Sequence, residues 1–214
     1  MFILSETPSI ANQFMAEMRD IRIQNDRMRF RKNLERLGEI LAYEISKSLS
    51  YKAQEIETPL AKTLISIPES QVVLISVLRA SLPFYQGFLN FFDDAESGFI
   101  GAFRDENESG EIKINLGYHA TPSLEGKVII LADPMLATGK SMIRTLDTIF
   151  SHGTPSMIHI AALFAAPEGI KYIEKNLKLP YKLWVGSVDE KLNHLSYIVP
   201  GLGDAGDLAF GEKL

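Results

Sequence analysis

The sequence predicts an α/β protein built on a central, mainly parallel sheet flanked by helices. Two observations carry that expectation. Short apolar runs alternate with segments of helical spacing through most of the chain, the order expected of strand–helix–strand units. The run KVIILA is continuously apolar after Lys127, as in a strand covered on both faces. In open sheets of this kind, ligands gather at the carboxyl ends of the strands. The residues that follow each strand are therefore the ones to inspect for chemistry.

Taken in order, residues 9–50 read as helical. Met28, Phe30, Leu34, Leu37, Ile40, Leu41 and Ile45 recur at roughly helical spacing between Arg27, Arg29, Arg31, Lys32, Glu35 and Arg36. Such a section can pack on a core or meet another subunit, and its basic cluster reads as a solvated helix face rather than a nucleic-acid site. Strands are predicted at Val72–Val77, Gly98–Phe103, Lys127–Ala132, Ile158–Phe164 and Lys182–Val188. Helices are predicted between them, at Ser81–Phe92, Gly139–His152 and Pro167–Asn176.

With 214 residues, 46% of them hydrophobic, the chain can bury one substantial core, so a single domain over 1–214 is expected. The net charge of −5 argues against broad nucleic-acid binding, which needs Lys and Arg to neutralise phosphates. The absence of cysteine excludes disulfides, thiolate metal ligands and Cys nucleophiles, and suits a reducing compartment. No apolar stretch approaches the roughly 18 residues of a membrane span, and MFILSETPSI does not read as a secretory signal. A cytoplasmic protein is expected. His119, His152, His159 and His194 show no metal-ligand spacing.

The segment Leu131–Ser141, LADPMLATGKS, follows a predicted strand and opens a predicted helix. A small-residue turn there collects free backbone N–H groups beside the positive end of the helix dipole, which suits a phosphate monoester. It is not the ATP-binding loop, because that motif needs Gly five positions before Gly139, where Pro134 stands. After Val72–Val77 the chain reads SVLRASLPF, leaving Arg79 at a strand end; its planar fork can take two phosphate oxygens at once. FRDENESGEIKINLGY, Phe103–Tyr118, has a polar stretch broken by Ser109 and Gly110 and reads as a mobile loop or β-arm. Near the C-terminus stands YIVPGLGDAGD, Tyr197–Asp207. Its interspersed Ile198, Val199, Leu202 and Ala205 argue for a packed loop rather than a free tail.

Together, DPMLATG and YIVPGLGDAGD closely resemble motifs of the uracil branch of the type I phosphoribosyltransferases. The four motifs run in that family's order from Arg79 to Asp207; the resemblance weakens through the N-terminal section. It implies the type I phosphoribosyltransferase fold, with residues 1–50 as a helical section and 189–214 as a base-recognition hood. It further implies transfer of ribose 5-phosphate from phosphoribosyl diphosphate (PRPP) to uracil, giving UMP and diphosphate for pyrimidine salvage. On that resemblance Asp133 holds ribose hydroxyls, and Pro134, Met135, Leu136, Ala137, Thr138, Gly139, Lys140 and Ser141 form the PRPP loop. Arg79 and Arg104 contact the diphosphate, the latter from an element that closes over the substrates. Uracil lies against Ile198, Gly203, Asp204 and Ala205, and Asp204 sits near the PRPP ribose or its Mg²⁺. Arg79, Arg104, Asp133 and Asp204 are the expected catalytic set, with Mg²⁺ held mainly by substrate oxygens. This chain departs from the family at Ser81, where Gly is common, and at Lys140, where a small residue is common. Lys140 can face a phosphate or solvent.

Backbone N–H and C=O groups of the hood can match the acceptor–donor–acceptor edge of uracil, and mispairing with cytosine costs about 1–3 kcal/mol per unsatisfied group. Orotate would need a cation for its carboxylate, which the hood does not offer. The family is commonly dimeric or larger. The competing class is an RNA-binding regulator on the same fold that senses uridine nucleotides; the acidic charge and complete hood weigh against it, while Arg27–Arg36 keeps it in view.

Overall fold

The computed structural model describes residues 1–106 and 112–213, with side chains over 1–101 and 117–213. The chain begins with β1 (Phe2–Ile3) and then α1 (Ile10–Arg19). Ser9 and Asn12 cap α1 reciprocally, satisfying two N–H groups that a helix start leaves free. The predicted single helical section is interrupted: Asp20 accepts the Arg22 N–H at 2.9 Å and ends α1. Asp26 then caps α2 (Arg27–Ser46) through the Arg29 N–H at 3.0 Å. Both breaks use aspartate where its side chain competes best with helix hydrogen bonding.

Next come β2 (Tyr51–Glu57) and β3 (Lys62–Pro68), an antiparallel hairpin that forms a sheet of its own. It was not predicted, because its strands are not buried and show no clean alternation. After it run β4 (Val72–Leu78), α3 (Ser81–Leu89), β5 (Glu96–Glu106) and β6 (Ile112–Ala120). These are followed by β7 (Val128–Ala132), β8 (Met135–Leu136), α4 (Lys140–Ile149), β9 (Met157–Ala165), α5 (Pro167–Asn176) and β10 (Tyr181–Val188). The C-terminal segment holds β11 (Lys191–Leu192), β12 (Ile198–Val199) and α6 (Ala205–Phe210). Every predicted strand and helix of the body is present, with ends within three residues of expectation.

The main sheet has the order β1-β10-β9-β7-β4-β5-β6, with β8 beside β9. All its pairings are parallel except β5 with β6. The fold class is the predicted one, a mainly parallel sheet flanked by helices. One core lies between the sheet and α1, α2 and α3, around Phe30, Leu34, Leu41, Phe84 and Phe88. The other lies under α4 and α5, around Ile129, Leu146, Ile160 and Ile173. Pairing of Ser76 with Ala132 in β4 and β7 brings Arg79 and Asp133 out at neighbouring strand ends.

The basic cluster of α2 is largely solvent-facing, as expected, with Arg27, Arg29 and Lys32 exposed. Part of it also makes contacts within the chain: Arg29 pairs with Glu17 of α1 at 2.8 Å, Arg31 donates to the Ala209 carbonyl at 2.7 Å, and Arg36 lies 5.0 Å from the Phe14 ring centre.

One buried polar group makes stability depend on pH. His159 of β9 is buried, and its Nδ1 accepts the Trp184 indole N–H at 2.9 Å. Burial, aided by the charge of Lys182, pulls its pKa from 6.5 to about 4. The unfolded chain therefore binds this proton more tightly. The site's contribution is complete above pH 6.5 and is lost as pH falls toward 4, by at most about 1.4 kcal/mol per pH unit. Urea unfolding at pH 7 and pH 5 should show a larger loss of stability in the native protein than in His159→Asn. Equal losses would remove His159 as the cause.

Candidate active site

The carboxyl edge of the sheet collects the residues that the sequence singled out. Asp133 follows β7; its N–H donates to the Ala161 carbonyl at 3.0 Å and its Oδ1 accepts the Met135 N–H at 3.2 Å. The Pro134 carbonyl accepts both Leu163 and Phe164 N–H groups at 3.0 Å, and the Leu136 carbonyl accepts Ala166 N–H at 2.9 Å. Pro134, Met135 and Leu136 thus run along the edge of β9 as β8, and the Leu136 side chain is buried in the core. The small-residue turn is confined to Ala137, Thr138 and Gly139, because α4 already begins at Lys140.

There the backbone turns into α4. Gly139 has φ +74 and caps the helix without a side chain, so no N-cap side chain covers the first-turn N–H groups. Thr138 Oγ1 lies 3.4 Å from the Lys140 N–H, Ser141 is half-buried and the Lys140 side chain is exposed. A Cβ on Gly139 would meet the Gly169 carbonyl at 2.7 Å. The glycine thus permits a close approach of the turn to α5. Such a helix start can accept an anion.

Arg79 directly follows β4 and stands two residues before Ser81, the first residue of α3 and a buried one. Ser81 donates its hydroxyl to the Val77 carbonyl at 2.6 Å and sits 2.7 Å from Ser76 Oγ. Because Ser81 has one proton, Ser76 must donate to it. The hydroxyl that replaces the family's glycine therefore staples the two sides of the Arg79 turn together. Arg79 itself pairs with Asp207 at 2.8 Å and donates to the Gly211 carbonyl at 3.3 Å. Arg104 lies on β5 opposite Ile114; its side chain, and the stretch 107–111 expected as part of a mobile arm, lie outside the described residues.

The C-terminal segment folds over Arg79. Strands β11 and β12 pair Leu192 with Ile198, and the chain turns through cis Pro200 to Gly201 at φ +55 and Gly203 at φ +94. A side chain on Gly201 would run into the Ile198 carbonyl, whereas Gly203 faces open space. Ile198 and Ala205 are buried. Asp204 caps α6 by accepting the Asp207 N–H at 3.0 Å, and Lys213 reaches its other oxygen at 3.4 Å. Burial raises the Asp204 pKa, but the Asp207 N–H, the Lys213 charge and the Gly206 N–H outweigh it, so the carboxyl stays ionised below its usual range. Gly203, Asp204 and Asp207 line a cleft of about 270 Å³ together with Gln24, Arg27 and Leu202.

Two residues of this region were missed. Asp189 directly follows β10 and accepts the Gly201 N–H at 2.8 Å, while Arg19 of α1 binds Asp189 through both guanidinium N–H edges. Asp189 carried a usable signal, since it occupies the same strand-end position as Arg79 and Asp133. Arg19 carried none. Among the described residues no three His, Asp or Glu side chains gather into a metal site, and no helix is long and apolar enough to cross a membrane.

A family model described as uracil phosphoribosyltransferase matches residues 4–212. A uracil phosphoribosyltransferase of Porphyromonas gingivalis is 46% identical over 206 residues, covering 96% of this chain and 95% of that one. One from Pyrococcus furiosus is 39% identical, covering 94% and 86%. A solved protein structure from Aquifex aeolicus superposes with a TM-score of 0.85 at 34% identity, covering 96% of both chains.

Gly139→Ala should destabilise the protein by about 1–3 kcal/mol, from the positive φ and the contact with Gly169 combined. Thermal unfolding measures it, and an unchanged melting temperature would mean that the turn does not have this conformation.

Proposed function

The chain belongs to the uracil phosphoribosyltransferase family, and we propose that it joins uracil to the ribose 5-phosphate of PRPP, forming UMP and diphosphate for pyrimidine salvage. The observation that carries this reading is the meeting of hood and sheet edge. Gly206 and Asp207 lie against Arg79, while the open start of α4 follows the adjacent strand. A leaving-group cation, a phosphate cradle and a backbone-rich base loop are thereby gathered on one edge.

In this mechanism the first turn of α4, from Ala137 to Ser141, binds the 5′-phosphate and Asp133 accepts from ribose hydroxyls. Pro134, Met135 and Leu136 support that cradle from the edge of β9. Arg79 exchanges Asp207 for diphosphate oxygens, and Arg104 approaches the same group from β5. Ile198, Gly203 and Ala205 offer backbone groups to the uracil edge beside Asp204. Uracil N1 bonds to C1 of the ribose as the C1–O bond to diphosphate breaks, through a state with oxocarbenium character, and the N1 proton is lost to solvent. Positioning and fixed charge lower the barrier; no covalent nucleophile is invoked. The hard oxygens of Asp204, ionised and near the cleft, fit Mg²⁺ carried mainly by substrate oxygens. When bound, the ion would neutralise charge developing on the diphosphate.

Residues 1–214 act in this reading as one domain, with the hood at 189–214 and the section 1–50 behind it. A homodimer or larger homo-oligomer is the assembly we favour. The β2–β3 hairpin is the supporting feature, because two-stranded sheets are marginal alone and this one exposes Leu64 by 69% and Ile65 by 45%. The regulator alternative loses ground, since Arg29, Arg31 and Arg36 are engaged within the chain.

Incubation with PRPP, Mg²⁺ and each nucleobase separately should release diphosphate with uracil alone; release with another base only would overturn the substrate. Arg79→Ala should lower turnover by about 10²–10³-fold, and near-native activity would sink the assigned role. Light scattering should give at least twice the chain mass, reverting to one chain mass in Ile65→Glu. A monomeric native protein would contradict the assembly.

A further inference from the structure

The N-terminal section holds the hood by its middle. Arg19, the last residue of α1, donates Nη1 to Asp189 Oδ2 at 2.8 Å and Nη2 to Asp189 Oδ1 at 2.5 Å. The same Nη1 reaches the Gly201 carbonyl at 2.9 Å, and Nη2 reaches Ser187 Oγ at 3.3 Å. Asp189 Oδ2 in turn accepts the Gly201 N–H at 2.8 Å. Both polar backbone atoms of Gly201 are therefore taken by one ion pair. The guanidinium also lies 4.2 Å from the ring centre of Phe164, whose own N–H donates to Pro134. Side-chain exposure is 24% for Arg19 and 3% for Asp189, so the pair is largely withdrawn from water, where such contacts are geometrically demanding.

Gly201 lies between Ile198 and Gly203, and its φ of +55 reverses the chain there. A loop that reads a flat base through backbone groups needs those groups fixed to a fraction of an ångström. The turn has few side chains with which to stiffen itself. We propose that Arg19, acting through Asp189, is the positioning residue for pyrimidine recognition: it sets the hood backbone on either side of Gly201 to the geometry of the uracil edge. This rests on the reading that the hood binds uracil. Lys cannot replace Arg19, because a single ammonium cannot span the carboxylate, the Gly201 carbonyl and Ser187 while stacking on Phe164.

The test compares Arg19→Lys, Asp189→Asn and their double variant with Arg29→Gln, which breaks a different ion pair of the same section. Arg19→Lys and Asp189→Asn should each raise KM for uracil about ten- to a hundredfold, leave KM for PRPP within about twofold, and reduce discrimination against cytosine. The double variant should be no worse than the poorer single one. Amide hydrogen exchange should quicken across residues 198–206 in both single variants, and neither uracil KM nor this exchange should move in Arg29→Gln. Parallel rises in both KM values, an unchanged uracil KM, or outright unfolding of the single variants would overturn the proposal, the last because the pair would then hold the fold and not the hood. Should the native protein release no diphosphate with any base, the functional reading fails by itself. Hydrogen exchange at 198–206 then decides the clamp alone, and unchanged exchange overturns it.

Discussion

Strand β9 is hydrogen-bonded to β10 on one side and, in succession, to β7 and β8 on the other. Eight of its nine residues are buried, and its last turns of ladder carry more than sheet structure. Leu163 and Phe164 hold Pro134, Ala166 holds Leu136, and the Ala165 carbonyl accepts the Asp189 N–H. The loop that opens α4 and the root of the C-terminal segment are thus registered against the same few peptide groups. A slip of one residue in β9 would exchange the side chains it presents to the two cores and displace both loops together. The architecture of the edge depends on that register.

Above this frame, the charged side chains of the site already hold one another. Asp207 occupies Arg79, Lys213 meets Asp204, and Arg19 occupies Asp189. Groups aimed in advance need little reorganisation when a charged ligand arrives. The exchange differs from place to place, however. Arg79 and Asp204 remain partly open to solvent, whereas the oxygens of Asp189 are taken by Arg19 and Gly201. Some acids here are therefore free to trade partners, and one is fixed scaffolding.

The body of the fold was legible because buried parallel strands write themselves as apolar runs and their helices as spaced ones. The strand ends made Arg79 and Asp133 stand out for the same reason. Several features left no such trace. The β2–β3 hairpin lacks a buried face, so no periodicity marks it. Strand β8 is two residues inside a loop motif, stabilised by β9 some 30 positions away. Arg19 looked like any polar residue at a helix end, and its importance comes from contacts 170 and 182 residues distant. The basic face of α2 was legible as solvated, but composition could not show which arginine also reaches a carbonyl, as Arg31 does at Ala209. Ser81 could be seen as a departure, but its staple to Val77 and Ser76 needed the turn itself.

The hood is fastened differently at its rim and at its root. The rim contacts, Arg79 with Asp207 and Lys213 with Asp204, are open to solvent, while Arg19 and Asp189 are shielded beneath the loop. Salt weakens attractions between exposed charges, and reaches shielded pairs much less. Added salt therefore acts on the rim of the loop more than on its root, and the two fastenings respond unequally to the ionic medium.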